Sequence, residues 1–218
     1  MKNIKNGQIH KVCCFDKKDF IEHNEEINNM MLSILVSHEN KDDSFDINES
    51  KDYINELNVD ILTNDFLQAR LYVLLDEKNG IPISFALYSQ DQTRDDWHLE
   101  FISTNKDYCG MGYAEAIFLI SAKDIANTKF PYISSVVNEE NLASLQLHEA
   151  LSKIKGIKLQ SAKIDNEDEL YDSYQDDNSD YDNYETQSHT YSNRISFLFD
   201  VKSLKDQKKL KNVDDIVL

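Results

Sequence analysis

The sequence predicts an α/β (α+β) domain, with long helices packed on a mixed sheet. Three observations predict it. Apolar residues recur at helical spacing in four segments, which alternate with short β-rich runs. Two of those runs flank Asn79-Gly80, a strong hairpin turn signal. The chain has 218 residues, long enough for one domain whose core needs no disulfide or metal staple. We therefore read 1–218 as a single domain.

The elements follow in order. His10–Phe15 is a short apolar-leaning run and predicts a first strand. Asp16 or Asp19 is placed to cap a helix running to about His38, with Phe20, Ile27, Met30, Met31, Ile34 and Leu35 at helical spacing. Asn48 or Ser50 is placed to cap a second helix, with Tyr53, Ile54, Leu57 and Ile61 on one face. Ala69–Leu75 and Ile81–Ser89 form the predicted hairpin, and Trp97–Thr104 is a further strand. A glycine-containing loop leads into a helix over Gly112–Thr128. Tyr132–Val137 is a strand, Asn141–Ile154 a helix, Lys158–Ile164 a weaker strand and Tyr191–Val201 a last strand. Pro82 and Pro131 both stand at strand starts, where a missing N–H does least harm.

The charge is unevenly distributed. The chain carries 40 acidic and 23 basic side chains, a net charge of −17. Residues 165–185 hold ten acids, four tyrosines and no base, and residues 42–65 hold eight acids and Lys51. The remainder is balanced, 22 against 22. Like charges this dense resist ordering, so 165–185 is expected to be a disordered acidic insertion before the last strand. The acidity argues against a general nucleic-acid binder, which needs Lys and Arg to displace counterions. It also disfavours anionic membranes and suits cationic partners. No apolar run approaches the length of a membrane span. Three cysteines without a spaced framework, and a polar N-terminus, lead us to expect a cytoplasmic protein. The six histidines show no metal-binding spacing, so no metal is expected. A homodimer is left open.

The unit WHLEFISTNKDYCGMGYAEAIFLISA, residues 97–122, is a strand, a glycine loop and a helix start. Orphan N–H groups at a helix start bind anions. The unit resembles the acetyl-coenzyme A signature of the GNAT acetyltransferase superfamily, in which a strand ends in an Arg/Gln-x-x-Gly-x-Gly/Ala loop before a helix. The matching run is Asp107-Tyr108-Cys109-Gly110-Met111-Gly112, with Tyr113 opening the helix. Further on, NLASLQLHEAL matches the family's second signature through Asn141, Ser144, Leu147 and His148. The resemblance spans roughly 10–164 and 191–201. It implies a mostly antiparallel central sheet.

The resemblance also implies roles. Residues 107–113 would hold the pyrophosphate, and the backbone of Ile102 and Thr104 would pair with the pantetheine arm, which Asn141 and Ser144 would also contact. His148 would take the place of a tyrosine that protonates the departing thiolate. Asp107 departs from the family's Arg or Gln, and Lys106, Lys123 or Lys129 would have to offset it. Cys109, at a helix N-terminus, is read as an inert loop residue rather than a reactive thiol.

Direct acetyl transfer needs a neutral amine, hence a base. Strict alternation would put Asp96, His98, Glu100 and Ile102 on one strand face, and Trp97, Leu99 and Phe101 on the other. Asp96, Glu100 or a water chain between them is expected to take the proton. In this family the connections equivalent to 42–65 and 165–185 frame the acceptor cleft. That leads us to expect a cationic acceptor: a polyamine, an aminoglycoside or a Lys-rich protein. The alternative is a catalytically silent domain of the same fold, binding a basic protein through its acidic insertion.

Overall fold

A computed structural model describes residues 10–38, 47–164 and 193–205. The acidic insertion, and the first part of the 42–65 segment, lie outside the described residues. The elements run β1 (His10–Asp16), α1 (Lys17–Val36), α2 (Ile47–Thr63), β2 (Leu67–Asp76), β3 (Pro82–Asp91), β4 (Trp97–Thr104), α3 (Tyr113–Ile125), β5 (Tyr132–Asn138), α4 (Leu142–Ser152), β6 (Lys158–Ile164) and β7 (Arg194–Asp200). That is the predicted order. The seven strands form one sheet, ordered β1-β2-β3-β4-β5-β7-β6. Every pairing is antiparallel except β4 with β5.

Local chemistry fixes the ends. The Asp16 carboxylate accepts from the N–H groups of Lys18 and Asp19, while the Asp19 carboxylate accepts from the Asp16 N–H. Both expected caps are thus used, as a reciprocal box that satisfies orphan donors at the start of α1. α2 begins at Ile47, so Asn48 and Ser50 sit within its first turn rather than at its cap. At the β2–β3 hairpin, Gly80 takes φ +70° and the Asn79 side chain accepts from the Ile81 N–H at 3.0 Å.

The sheet is covered on both faces. On β2, Ala69, Leu71 and Val73 face α1 and α2, where Phe20, Ile27, Ile34, Leu35, Ile54 and Ile61 are fully buried. Tyr72 and Leu74 point the other way, into a core with Ala116, Ile117, Phe118 and Ile125 of α3 and Leu151 of α4. Each buried Val, Leu, Ile or Phe among them contributes about 1.5–3 kcal/mol by leaving water. The period-two alternation on β2 and the wider helical stripe on α1 are what allow two cores on one sheet.

The alternation expected along β4 fails partway. Leu87 of β3 pairs with Phe101, but the next residue, Tyr88, pairs with Leu99. Glu100 is the extra residue of a β-bulge. Past it the parity reverses. Phe101 stacks on Phe85 on the α1/α2 face, with ring centroids 5.8 Å apart, and Ile102 packs against the α3 core. The expected grouping of Phe101 with Trp97 and Leu99 is therefore corrected. No helix among the described residues is long and apolar enough to cross a membrane.

Candidate active site

β4 and β5 are paired only at Trp97–Ile133 and His98–Ser134. Beyond that point they part. β5 keeps its other edge on β7, and β4 keeps its other edge on β3. The parting opens a cleft of about 680 Å³ between the ends of two parallel strands. It leaves backbone edges able to pair with an extended ligand, as an added strand would.

The cleft gathers residues far apart in sequence. Glu100, Ile102 and Thr104 line it from β4, Tyr108, Cys109, Gly110, Gly112 and Tyr113 from the following loop and helix start, and Asn141, Ser144 and His148 from α4. These were all singled out from sequence. Asp96, Asp107 and Met111 were singled out too but do not line it.

The loop is built for a tight approach to a helix start. Gly110 has φ +71° and Gly112 φ +86°, in the left-handed region that favours glycine. A Cβ added at Gly110 would meet nothing within 4 Å, so the backbone angle rather than crowding calls for glycine there. Gly112 is the N-cap of α3 and brings no side chain to cap it. The first-turn N–H groups of a helix lack intrahelical acceptors, which suits phosphate oxygens. Among the described residues, no Lys or Arg lines the cleft. Lys123 and Lys129, proposed to offset Asp107, do not reach it; Lys129 lies over the Phe130 ring. Lys106 flanks the loop, and its backbone N–H donates to Ser37 Oγ at 2.9 Å. Partial burial raises the Cys109 thiol pKa despite the charge of Lys106, which favours the inert reading.

The Glu100 bulge sits at the junction of cleft and helices. Its carboxylate accepts from the Tyr53 hydroxyl of α2 at 2.5 Å and from the Ser89 hydroxyl of β3. Burial, reinforced by the Glu100 charge, pushes the Tyr53 phenol far above its ordinary pKa, so it stays a donor. Asp96 is placed differently. It precedes β4 and is gripped by Arg94 through two hydrogen bonds, of 3.0 and 3.1 Å. Burial raises its pKa, but the hydrogen bonds from Arg94 and Ser134 outweigh burial and hold it below the usual carboxylate range. That depressed carboxyl, outside the cleft, is poorly suited to act as the base.

His148 is 2% exposed. Its Nδ1 lies 2.8 Å from the Ser144 carbonyl and its Nε2 lies 2.7 Å from Ser135 Oγ. A carbonyl only accepts, so Nδ1 carries the proton and the neutral ring offers a lone pair at Nε2. Burial lowers its pKa, with the Ser144 carbonyl opposing. In this neutral form Nε2 carries no proton of its own to give to a thiolate. The Asn141 side-chain oxygen accepts from the Ser144 N–H at 3.0 Å and caps α4, leaving its amide nitrogen as the remaining polar group. Thr104 is already engaged as well: its carbonyl accepts from His38 Nε2 at 2.8 Å.

Sequence reasoning missed His38, Ser103, Ser135, Asn138 and Glu115 as lining residues. Only the alternation of β5 could have flagged Ser135, whose partner His148 is thirteen residues away.

No protein-family model and no curated protein matches the chain in sequence. Solved structures match it in fold. A Desulfovibrio desulfuricans protein assigned to the GNAT family of acetyltransferases aligns with 87% of this chain and 99% of its own, at 9% identity and a TM-score of 0.52. The Escherichia coli ribosomal-protein-S18-alanine N-acetyltransferase aligns with 87% of this chain and 91% of its own, at 13% identity and a TM-score of 0.46. A chimera of the Vibrio cholerae spermidine N-acetyltransferase and hSSAT aligns with 89% of this chain and 96% of its own, at 13% identity and a TM-score of 0.47.

Proposed function

We propose that this chain, which has the GNAT acetyltransferase fold, moves an acetyl group from acetyl-CoA to a primary amine of a cationic acceptor. The observation that carries the reading is the parting of β4 from β5 directly beside the Gly110–Gly112 loop. An extended thioester arm fits between the strand edges, and its pyrophosphate fits the uncapped start of α3.

The chemistry is addition and elimination at the thioester carbonyl. The amine nitrogen attacks, the carbon–sulfur bond breaks, and the amine's proton goes to a base. Glu100 is the residue best placed to take it: it lines the cleft, and Tyr53 and Ser89 fix its carboxylate. Strand-edge N–H groups would stabilise charge on the carbonyl oxygen.

The sign of the acceptor's charge is supported by α2. Glu49, Asp52, Glu56 and Asp60 are exposed on it, at spacings of three and four. This puts them on one face, next to Tyr53, which reaches Glu100. A carboxylate stripe leading to the base raises the local concentration of cations. Polyamines, aminoglycosides and Lys-rich protein segments share that chemistry. The test is thiol release from acetyl-CoA with a panel of amines; no release with any amine would overturn the reading.

A second reading is a silent domain of this fold that binds a basic protein. The want of a Lys or Arg lining the cleft among the described residues, together with the neutral His148, favours it. Thermal stabilisation by acetyl-CoA, about 2–3 kcal/mol at roughly 100 times Kd, would count against it.

A further inference from the structure

Ser135 stands on β5 one residue beyond Ser134, the last residue paired with β4, so it lies where the cleft begins to open. Its hydroxyl has a single hydrogen and two lone pairs. The direction of that hydrogen is set by His148. The Ser144 carbonyl fixes a proton on His148 Nδ1, and burial disfavours a second one, so in the neutral ring Nε2 accepts and Ser135 donates across the 2.7 Å contact.

We propose that Ser135 and His148 form one binding device, in which His148 engages the Ser135 hydrogen so that Ser135 Oγ meets the ligand as a fixed hydrogen-bond acceptor. This rests on the thioester-donor reading above and names what this part of the cleft recognises: an amide N–H. The arm of an acyl-CoA carries two secondary amides, and a ligand carbonyl in the same place would face lone pairs. His148 is then a positioning residue, not the acid that protonates the leaving thiolate.

The surroundings keep the device in one polarity. The His148 ring packs against Phe197 of β7 at 4.3 Å between centroids and against Phe199 at 5.5 Å. Ser144 on its own helix and Ser135 on β5 take its two nitrogens. Protonating Nε2 would require reversing the Ser135 hydroxyl inside this apolar setting. Burial opposes that, and the Ser144 carbonyl, which favours the charged ring, only partly offsets it.

Two measurements on the full chain test it. In long-range proton–nitrogen NMR of the free protein, His148 should show the Nδ1–H form unchanged from pH 6 to 8. An Nε2–H form, or titration near the ordinary histidine value, would overturn the device. In calorimetry with CoA, Ser135→Ala should weaken binding roughly 3–10-fold, the worth of one hydrogen bond. His148→Phe should cost about the same, and the double variant no more than either. With acetyl-CoA and an amine, His148→Phe should raise KM for acetyl-CoA roughly 3–10-fold, the worth of one hydrogen bond, and lower kcat less than tenfold. A kcat lowered 100-fold or more with CoA affinity intact would restore the acid role and overturn the proposal. A wild-type chain that binds no CoA would instead sink the functional reading, and the NMR signal would still decide the orientation of the hydroxyl.

Discussion

The hydroxyl of Tyr53 on α2 donates to the carboxylate of Glu100 on β4 at 2.5 Å. The contact joins the exposed acidic helix to the bulge that turns Glu100 into the cleft. It couples the surface expected to gather the acceptor with the group expected to deprotonate it. We predict that Tyr53→Phe raises KM for a cationic amine several-fold and leaves CoA affinity unchanged. The same variant should cost about 0.5–1.5 kcal/mol in urea denaturation, the net value of one hydrogen bond. Glu100→Gln should lower kcat by roughly 10²–10⁴, as loss of a general base does. If Glu100→Gln turns over like the wild type, the base lies elsewhere.

The loop glycines make a separate prediction. Gly110 and Gly112 hold φ values of +71° and +86°. Alanine at either position should destabilise the chain by about 1–2 kcal/mol through left-handed backbone strain. At Gly110 there is room for the methyl group, so the loss there should be conformational only. Equal midpoints for Gly110→Ala and the wild type would show that the loop relaxes freely.

A pH prediction follows from Asp96 and Arg94. Hydrogen bonds from Arg94 and Ser134 outweigh burial and depress the Asp96 pKa in the folded chain. A depressed carboxylate adds stability that is fully present above its unfolded value, about 3.9, and is lost as pH falls through the folded value. The stability gap between the wild type and Asp96→Asn should therefore be constant near neutral pH and close below about pH 4. Urea midpoints across pH 2–7 measure it. A gap that widens on acidification would contradict the assignment.

Much of the fold was legible because its signals are local. Eleven elements came in the right order from periodicity and turn chemistry, with Asn79-Gly80 at the hairpin and Asp16 and Asp19 at the start of α1. The bulge was not legible. Strict alternation assigns Phe101 to the same face as Leu99, and nothing in WHLEFIST marks Glu100 as the residue without a partner. That register is decided across strands, by β3. The site was legible in part for the same reason. The glycine loop announces itself by composition, and nine of the eleven residues expected to hold the donor line the cleft. Asp96 and His148 each join a local partner, Arg94 or Ser144, to one distant in sequence, Ser134 or Ser135, which no spacing rule connects to them.

The acidic stripe on α2 carries the claim about the acceptor, and salt exposes it most directly. Surface electrostatics is screened within about 10 Å at 0.1 M ionic strength. The decisive measurement is kcat/KM for thiol release from acetyl-CoA, with a polyamine and with a neutral amine, at about 0.02 and about 0.5 M salt. The account predicts that the polyamine is the better acceptor at low salt and loses most of its advantage at high salt, while the neutral amine changes little. Equal values for the two amines at both salt concentrations would contradict it.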